Sequence, residues 1–195
     1  MTEKEKAAQG FLYDANYDED LMKERFACKD LCHEYNMIIP SKVDQRTAIM
    51  KKILGKTKNS FFIEQPFLCD YGYNIEIGEN FYVNHNCVIL DAAKVTFGDN
   101  VFIAPNCGFY TAGHPLDVED RNKGLEYAYP IKVGNNVWIG GNVVVLPGVT
   151  IGDNSVIAAG SIVNKDIPSG VVAAGNPCKI IRAITEEDKY KYKRI

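Results

Sequence analysis

From Val133 onward, branched apolar residues recur at every sixth position: Val133, Ile139, Val145, Ile151, Ile157 and Val163. Glycine or another small residue usually follows, as in Val-Gly-Asn-Asn-Val-Trp and Ile-Gly-Asp-Asn-Ser-Val. The same spacing links Ile77, Val83 and Ile89, slips by two residues, and resumes at Phe97, Ile103 and Phe109. A period of six fits neither an amphipathic helix nor a simple hairpin. Short strands joined by tight turns satisfy it, each strand turning one apolar side chain inward, and three such sides make a prism. Gly, Asn and Asp cluster where the corners need left-handed backbone conformations, which these types tolerate best. Stacked coils about 4.8 Å apart then pair their backbones. An ordinary β-sandwich would not hold an apolar residue at every sixth position through six steps. The expected fold is mainly β, a three-sided parallel β-helix over roughly 70–168 with one interruption.

The flanks read differently. Residues 1–56 are expected to be helical, with Leu21, Arg25, Cys28 and Cys32 on one stripe and Ile49, Ile53 and Leu54 on another. Pro40 and Ser41 separate two helices, and Ser41 followed by Asp44 reads as a helix start. Segment 57–70, with Phe61, Phe62 and Ile63, reads as an extended first coil, so the solenoid unit spans 57–184. A short charged helix and tail is expected over 185–195.

A chain of 195 residues with 46% hydrophobic content buries a real core in one domain with a small extension. A net charge of -3 offers no positive field for a nucleic acid or an anionic membrane, so the expected partners are a small molecule and further copies of the chain. The N-terminus, Met-Thr-Glu-Lys-Glu-Lys, leads into no apolar run of signal or membrane-spanning length, and a cytoplasmic location is expected. The six cysteines are scattered and read as free thiols, Cys28 and Cys32 as buried packing one helical turn apart, with no metal site.

The repeat fails between Phe109 and Val133, in loop 110–131, which contains Thr-Ala-Gly-His-Pro-Leu-Asp. A long excursion from a regular solenoid is where function is usually placed. Histidine is the side chain whose unperturbed pKa lies nearest neutrality, so His114 can act as a base toward a hydroxyl. Glu126, later in the loop, is expected to accept from the other ring nitrogen and fix the tautomer. No Ser or Cys stands beside His114 in a nucleophile motif, so direct transfer is expected rather than a covalent intermediate.

Several segments together resemble the maltose, galactoside and nodulation O-acetyltransferases. They are Phe-Leu-Tyr-Asp-Ala near the N-terminus, Cys-Asp-Tyr-Gly-Tyr-Asn-Ile at 69–75, Asn-Phe-Tyr-Val-Asn-His-Asn at 80–86, Thr-Ala-Gly-His-Pro at 111–115, the hexads around Trp138, and Ala-Gly-Asn-Pro-Cys-Lys-Ile-Ile-Arg at 174–182. The resemblance, most of all to the maltose branch, implies a left-handed β-helix, acetyl-CoA as acetyl donor, a sugar hydroxyl as acceptor and a homotrimer with active sites between subunits. It implies His114 as general base and Asn84 at the acceptor or the developing oxyanion, with Asp14 and Asp70 on sugar hydroxyls. Some family members carry a serine at the position of Asp70 and an acid at that of Ala92; Asp91 is expected to compensate. Trp138, Gly141, Ala159, Asn164, Lys165, Lys179 and Arg182 fall on the family's coenzyme A positions. The three basic residues suit the phosphorylated adenosine, and the Gly141 amide suits the oxyanion.

Other classes fit less well. A carbonic anhydrase on such a prism needs zinc-binding histidines, and this chain has only His33, His85 and His114, with Glu119 where that loop supplies a further ligand. A non-catalytic scaffold has no reason to keep Gly-His-Pro, the tryptophan and the basic end together. The nearest rival is an acetyltransferase for an antibiotic, serine or an amino-sugar.

Overall fold

The structure is a computed structural model and describes residues 1–193. Its body is a three-sided parallel β-helix. One face stacks strands Ile75–Glu76, Val95–Phe97, Ile131–Val133 and Thr150–Ile151. The second runs from Phe61–Ile63 through Phe81–Val83, Phe102–Ile103, Trp138–Ile139 and Val156–Ile157 to Val171–Ala174. The third stacks Phe67–Cys69, Cys87–Leu90, Gly108–Tyr110, Val144–Val145 and Ile162–Val163.

The six-residue ladder is the inner wall of this prism. Val133, Ile139 and Val145 pair with Ile151, Ile157 and Val163, one couple on each face, so a coil takes three hexads. All six side chains are buried, as are Ile77, Val83, Ile89, Phe97, Ile103 and Phe109 upstream. Each such burial contributes about 1.5–3 kcal/mol before the entropy of ordering is set against it. The upstream coils are longer: Val83 pairs with Ile103 and Ile89 with Phe109, each twenty positions on. The two added residues sit in the corner between the third and first faces, and they are the slip in the sequence pattern.

Other corners are turned by asparagine. Residues 80, 100, 136 and 154 all have φ near +55°, and their side chains form a ladder: Asn80 Nδ2 donates to Asn100 Oδ1 at 3.0 Å, Asn100 to Asn136 at 3.0 Å and Asn136 to Asn154 at 2.9 Å. Asparagine tolerates the left-handed conformation that β-branched residues resist, and its amide joins one coil to the next.

Three helices cover the N-terminal end: α1 (Glu3–Ala8), α2 (Glu19–Met37) and α3 (Val43–Ile53). Ser41 does not start α3; the cap position is Lys42 and makes no side-chain cap bond. Arg46 of α3 is buried, pairs with Glu64 at 2.9 Å and donates to the Ile63 carbonyl at 2.6 Å, fastening the helices to the first coil. Tyr13–Asp14, between α1 and α2, is a strand and not part of a helix. At the other end Lys179–Ala183 folds back antiparallel on Val171–Ala174, and the expected C-terminal helix is a 3-10 turn, Glu186–Tyr190. The last two residues of the expected 185–195 tail lie outside the described residues. No helix among the described residues is long and apolar enough to cross a membrane.

Candidate active site

The irregular corner between the third and first faces builds the site. Segments 70–74 and 91–94 turn it in successive coils, and the long excursion leaves from the same corner after Gly108–Tyr110. Buried hydrogen bonds lock the levels together. Asp91 Oδ1 accepts from the amides of Asp70 at 3.0 Å and Tyr71 at 2.9 Å. Thr111 Oγ1 accepts from the Ala93 amide at 2.9 Å and donates to the Leu90 carbonyl at 2.7 Å.

The excursion is a built element and not a slack loop. Ala112–Gly113 pairs antiparallel with Leu125–Ala128. The turn between them holds α4 (Val118–Asn122), capped by Asp117, whose Oδ1 accepts from the Asp120 amide at 2.9 Å. Tyr13–Asp14 then adds a third antiparallel strand, Tyr13 opposite Glu126 and Asp14 opposite Leu125. The N-terminal segment therefore completes the sheet that carries His114.

His114 follows directly on Gly113 and is half exposed. Its Nδ1 lies 3.0 Å from the Leu125 carbonyl. A carbonyl only accepts, so in the neutral ring Nδ1 carries the proton and Nε2 keeps its lone pair. Glu126 stands elsewhere than expected: its Oε1 is 3.8 Å from Nε2, and it does not touch Nδ1. The tautomer is set by the Leu125 carbonyl, and the Glu126 charge faces the nitrogen that would receive a proton. The buried Tyr13 hydroxyl donates to Glu126 Oε2 at 3.1 Å. Burial, and then the Glu126 charge, push the Tyr13 phenol far above its ordinary range, so it remains a donor.

Asp14 lies on the strand beside Leu125, its Oδ1 accepting from the amides of Asn16 at 3.1 Å and Tyr17 at 2.9 Å. Asp70 is partly buried with Lys29 Nζ 3.9 Å away; burial raises its pKa, and the charges of Lys29 and Arg25 oppose that rise. Tyr71, beside it, packs with Tyr13, Ala93 and Ala128 in a small core of its own. Asp91 is not placed to compensate at an acceptor, because it has no exposed surface. Burial pushes its carboxyl up to about 6, the two amides pull against this, and the Asp70 charge adds to it. Its Oδ1 holds the backbone of Asp70 and Tyr71 in place. Asn84 turns a different corner, after Phe81–Val83, and its Oδ1 accepts from the His85 amide at 2.8 Å.

The residues expected to hold coenzyme A divide. Trp138, Gly141, Ala159 and Arg182 line one groove of about 560 Å³ against the second face. Its floor is tight: a Cβ on Gly140 would come within 2.6 Å of the Ala159 backbone nitrogen, so glycine is required there. The Arg182 guanidinium forms a fork with Asp188, 2.7 Å to each carboxylate oxygen, which holds the carboxyl well below its ordinary range and draws the C-terminal turn over the groove. Lys191 and Tyr192 join the lining by this route. Asn164, Lys165 and Lys179 are exposed and do not line this groove. Nor does His114.

Two family models match the chain: the maltose acetyltransferase hexapeptide capping motif over residues 6–58 and the bacterial transferase hexapeptide, in six repeats, over 130–165. A galactoside O-acetyltransferase of Escherichia coli is 48% identical over 98% of this chain and 93% of its own length. The chain belongs to the galactoside and maltose O-acetyltransferase family. Among solved structures, a galactoside acetyltransferase in complex with coenzyme A superposes with a TM-score of 0.95 at 48% identity, covering 99% of this chain and 96% of that one. A maltose O-acetyltransferase of Clostridium difficile gives 0.93 at 51% identity, covering 95% and 99%. The solenoid is thus the left-handed parallel β-helix of hexapeptide-repeat enzymes, and the protein is an acetyltransferase.

Within this O-acetyltransferase the sequence pattern misses Tyr13, the Leu125 carbonyl, Thr111 and Asp188. Tyr13 acts through a strand pairing 113 residues apart in sequence, Tyr13 to Glu126, and the Leu125 carbonyl through the hairpin that pairs Ala112–Gly113 with Leu125–Ala128; no local periodicity announces either. For the Arg182–Asp188 fork the available signal is a basic residue followed closely by the acidic run Glu186, Glu187 and Asp188.

Proposed function

We propose that this acetyltransferase moves an acetyl group from acetyl-CoA to a sugar hydroxyl, of the maltose, glucose or galactoside type, with His114 as general base. The observation that carries the reading is the Nδ1 contact to the Leu125 carbonyl at 3.0 Å, which favours the tautomer whose Nε2 holds the lone pair, on a half-exposed imidazole. Nε2 takes the hydroxyl proton as the acceptor oxygen attacks the thioester carbonyl. The resulting imidazolium faces the Glu126 carboxylate, itself held by Tyr13, so the charge formed at Nε2 is opposed directly. The tetrahedral intermediate collapses, the C–S bond breaks, and the coenzyme A sulfur recovers the proton from Nε2. Asp14 and Asp70 supply acceptors for sugar hydroxyls, and Asn84 contributes to the acceptor or oxyanion side.

Acetyl-CoA lies along the Trp138–Gly141–Ala159 groove with its phosphates toward Arg182. His114 is not among the residues lining that groove, which supports a homotrimer whose active sites form between subunits, and Asn164, Lys165 and Lys179 then meet the cofactor across such an interface. The setting is cytoplasmic. The test is release of free coenzyme A thiol from acetyl-CoA with maltose, glucose, galactosides, serine and chloramphenicol as acceptors. Release that depends on a sugar is expected; release with serine or chloramphenicol alone moves the acceptor class, and none with any acceptor from folded protein overturns the reading.

A further inference from the structure

Cys28 and Cys32 stand one turn apart on α2, and the fold brings a third thiol to them. Cys69, at the end of Phe67–Cys69, has its Sγ 3.5 Å from that of Cys28 and 3.6 Å from that of Cys32, and all three sulfurs lie within 4.8 Å of one another. Each is buried, and all six cysteines of the chain are free thiols.

We propose that Cys28, Cys32 and Cys69 form a three-thiol site that binds one Cu(I) ion. Metal–thiolate bonds of about 2.3 Å in a trigonal plane place their sulfurs roughly 4.0 Å apart, which falls inside the spacing seen here. A disulfide would engage two of the sulfurs at about 2.05 Å and leave the third without a part. Soft sulfur donors select soft ions, Cu(I) foremost. Zinc sites of the structural kind require four ligands, and among the described residues no fourth histidine, cysteine or carboxylate joins this group. Three-coordinate Cu(I) needs none.

Charge and access agree. Three thiolates exceed the charge of a monovalent ion by two, so the buried site calls for a neighbouring cation. Lys29, next to Cys28, reaches toward Asp70, next to Cys69, at 3.9 Å, so a cation borders the site where excess thiolate charge would accumulate. Cys28 also lines an open cleft of about 310 Å³ among α2, α3 and the corner at Tyr71 and Tyr73, which brings solvent to one edge of the trio. On binding, each thiol that ligates as thiolate releases its proton to water and copper stays Cu(I), so nothing is oxidised. Because Cys69 directly precedes Asp70, occupancy would tie α2 to the corner that carries the acceptor-side carboxylate.

The experiment is an anaerobic competition in which reduced full-length protein and Cu(I) are mixed with a chromophoric Cu(I) chelator. Wild type is expected to withhold one Cu(I) per chain and to gain in Tm on loading, since a ligand of the native state stabilises it. Cys69→Ala and Cys32→Ser should lose both effects, and Cys178→Ala, outside the trio, should keep them. If Cys69→Ala fails to fold, Cys28→Ser at the cleft edge provides the same comparison. Transfer of all copper to the chelator by wild type, or retention undiminished by every substitution within the trio, overturns the proposal.

Discussion

The regular coils and the irregular corner use the same strands to opposite ends. In the coils from Val133 to Val163 each rung residue stacks on an apolar partner eighteen positions later, and the polar side chains buried there among the described residues are two serines, Ser155 and Ser161, whose hydroxyls donate to backbone carbonyls. At the corner between the third and first faces the interior admits Asp91 and Thr111, both without exposed surface, and spends their hydrogen bonds on holding three successive levels of chain. Regularity provides stability, and the corner where the repeat lengthens carries the residues proposed for the chemistry. Polar groups are tolerated there because each bond made fixes a backbone segment that presents Asp70 or His114 to solvent.

The comparison is broken most severely from the regular side. Ile139→Ala, at a fully buried rung, should cost about 2–5 kcal/mol in denaturant unfolding while leaving kcat of the folded enzyme near normal. A collapse of kcat without loss of stability would mean that the coils take part in the chemistry.

The corner should reveal itself through pH. Asp91, normally near 3.8, titrates at about 6 in the fold. A carboxyl whose pKa is raised on folding binds more protons in the native state, so its contribution is greatest below about 4 and is lost as pH rises toward 6. That difference is worth at most about 3 kcal/mol. Asp91→Asn keeps an oxygen for the Asp70 and Tyr71 amides and has no such titration. Relative to the variant, wild type should lose stability between pH 4 and 6, and parallel stability profiles would contradict the buried charge.

Much of this was legible in the sequence, and the limit falls between the same two regions. The six-residue rungs announce the prism, because a repeated steric demand leaves a repeated side chain. Trp138, Gly141 and Ala159 meet in one groove for the same reason, since fixed spacing on a solenoid is fixed position, and Arg182 joins them through the returning C-terminal strand. The role of Glu126 was not legible. Its place opposite Nε2, and that of the Leu125 carbonyl opposite Nδ1, follow from the pairing within the hairpin that carries His114, and the Tyr13 hydroxyl reaches Glu126 from a strand at the chain's other end. Asp91 looks like an acceptor ligand in sequence and proves to be a buried brace, because a one-residue shift at a corner exchanges the outside for the inside.

Smaller effects sharpen the contrast. Arg182→Ala should weaken acetyl-CoA binding about tenfold, close to 1.4 kcal/mol, with little change in kcat, as read by calorimetry. Asn100→Ala should cost about 1 kcal/mol, since alanine at φ +56° is strained and the Asn80–Asn136 ladder loses its middle rung. Asn100→Gly, free of that strain, should cost less.

The central claim is that the corner performs proton transfer while the groove binds the donor. It is tested most directly by comparing His114→Ala with wild type for both turnover and acetyl-CoA affinity. The account predicts that kcat falls by about 10²- to 10⁴-fold with the dissociation constant for acetyl-CoA nearly unchanged; turnover that survives the substitution, or falls only in step with lost acetyl-CoA binding, would contradict it.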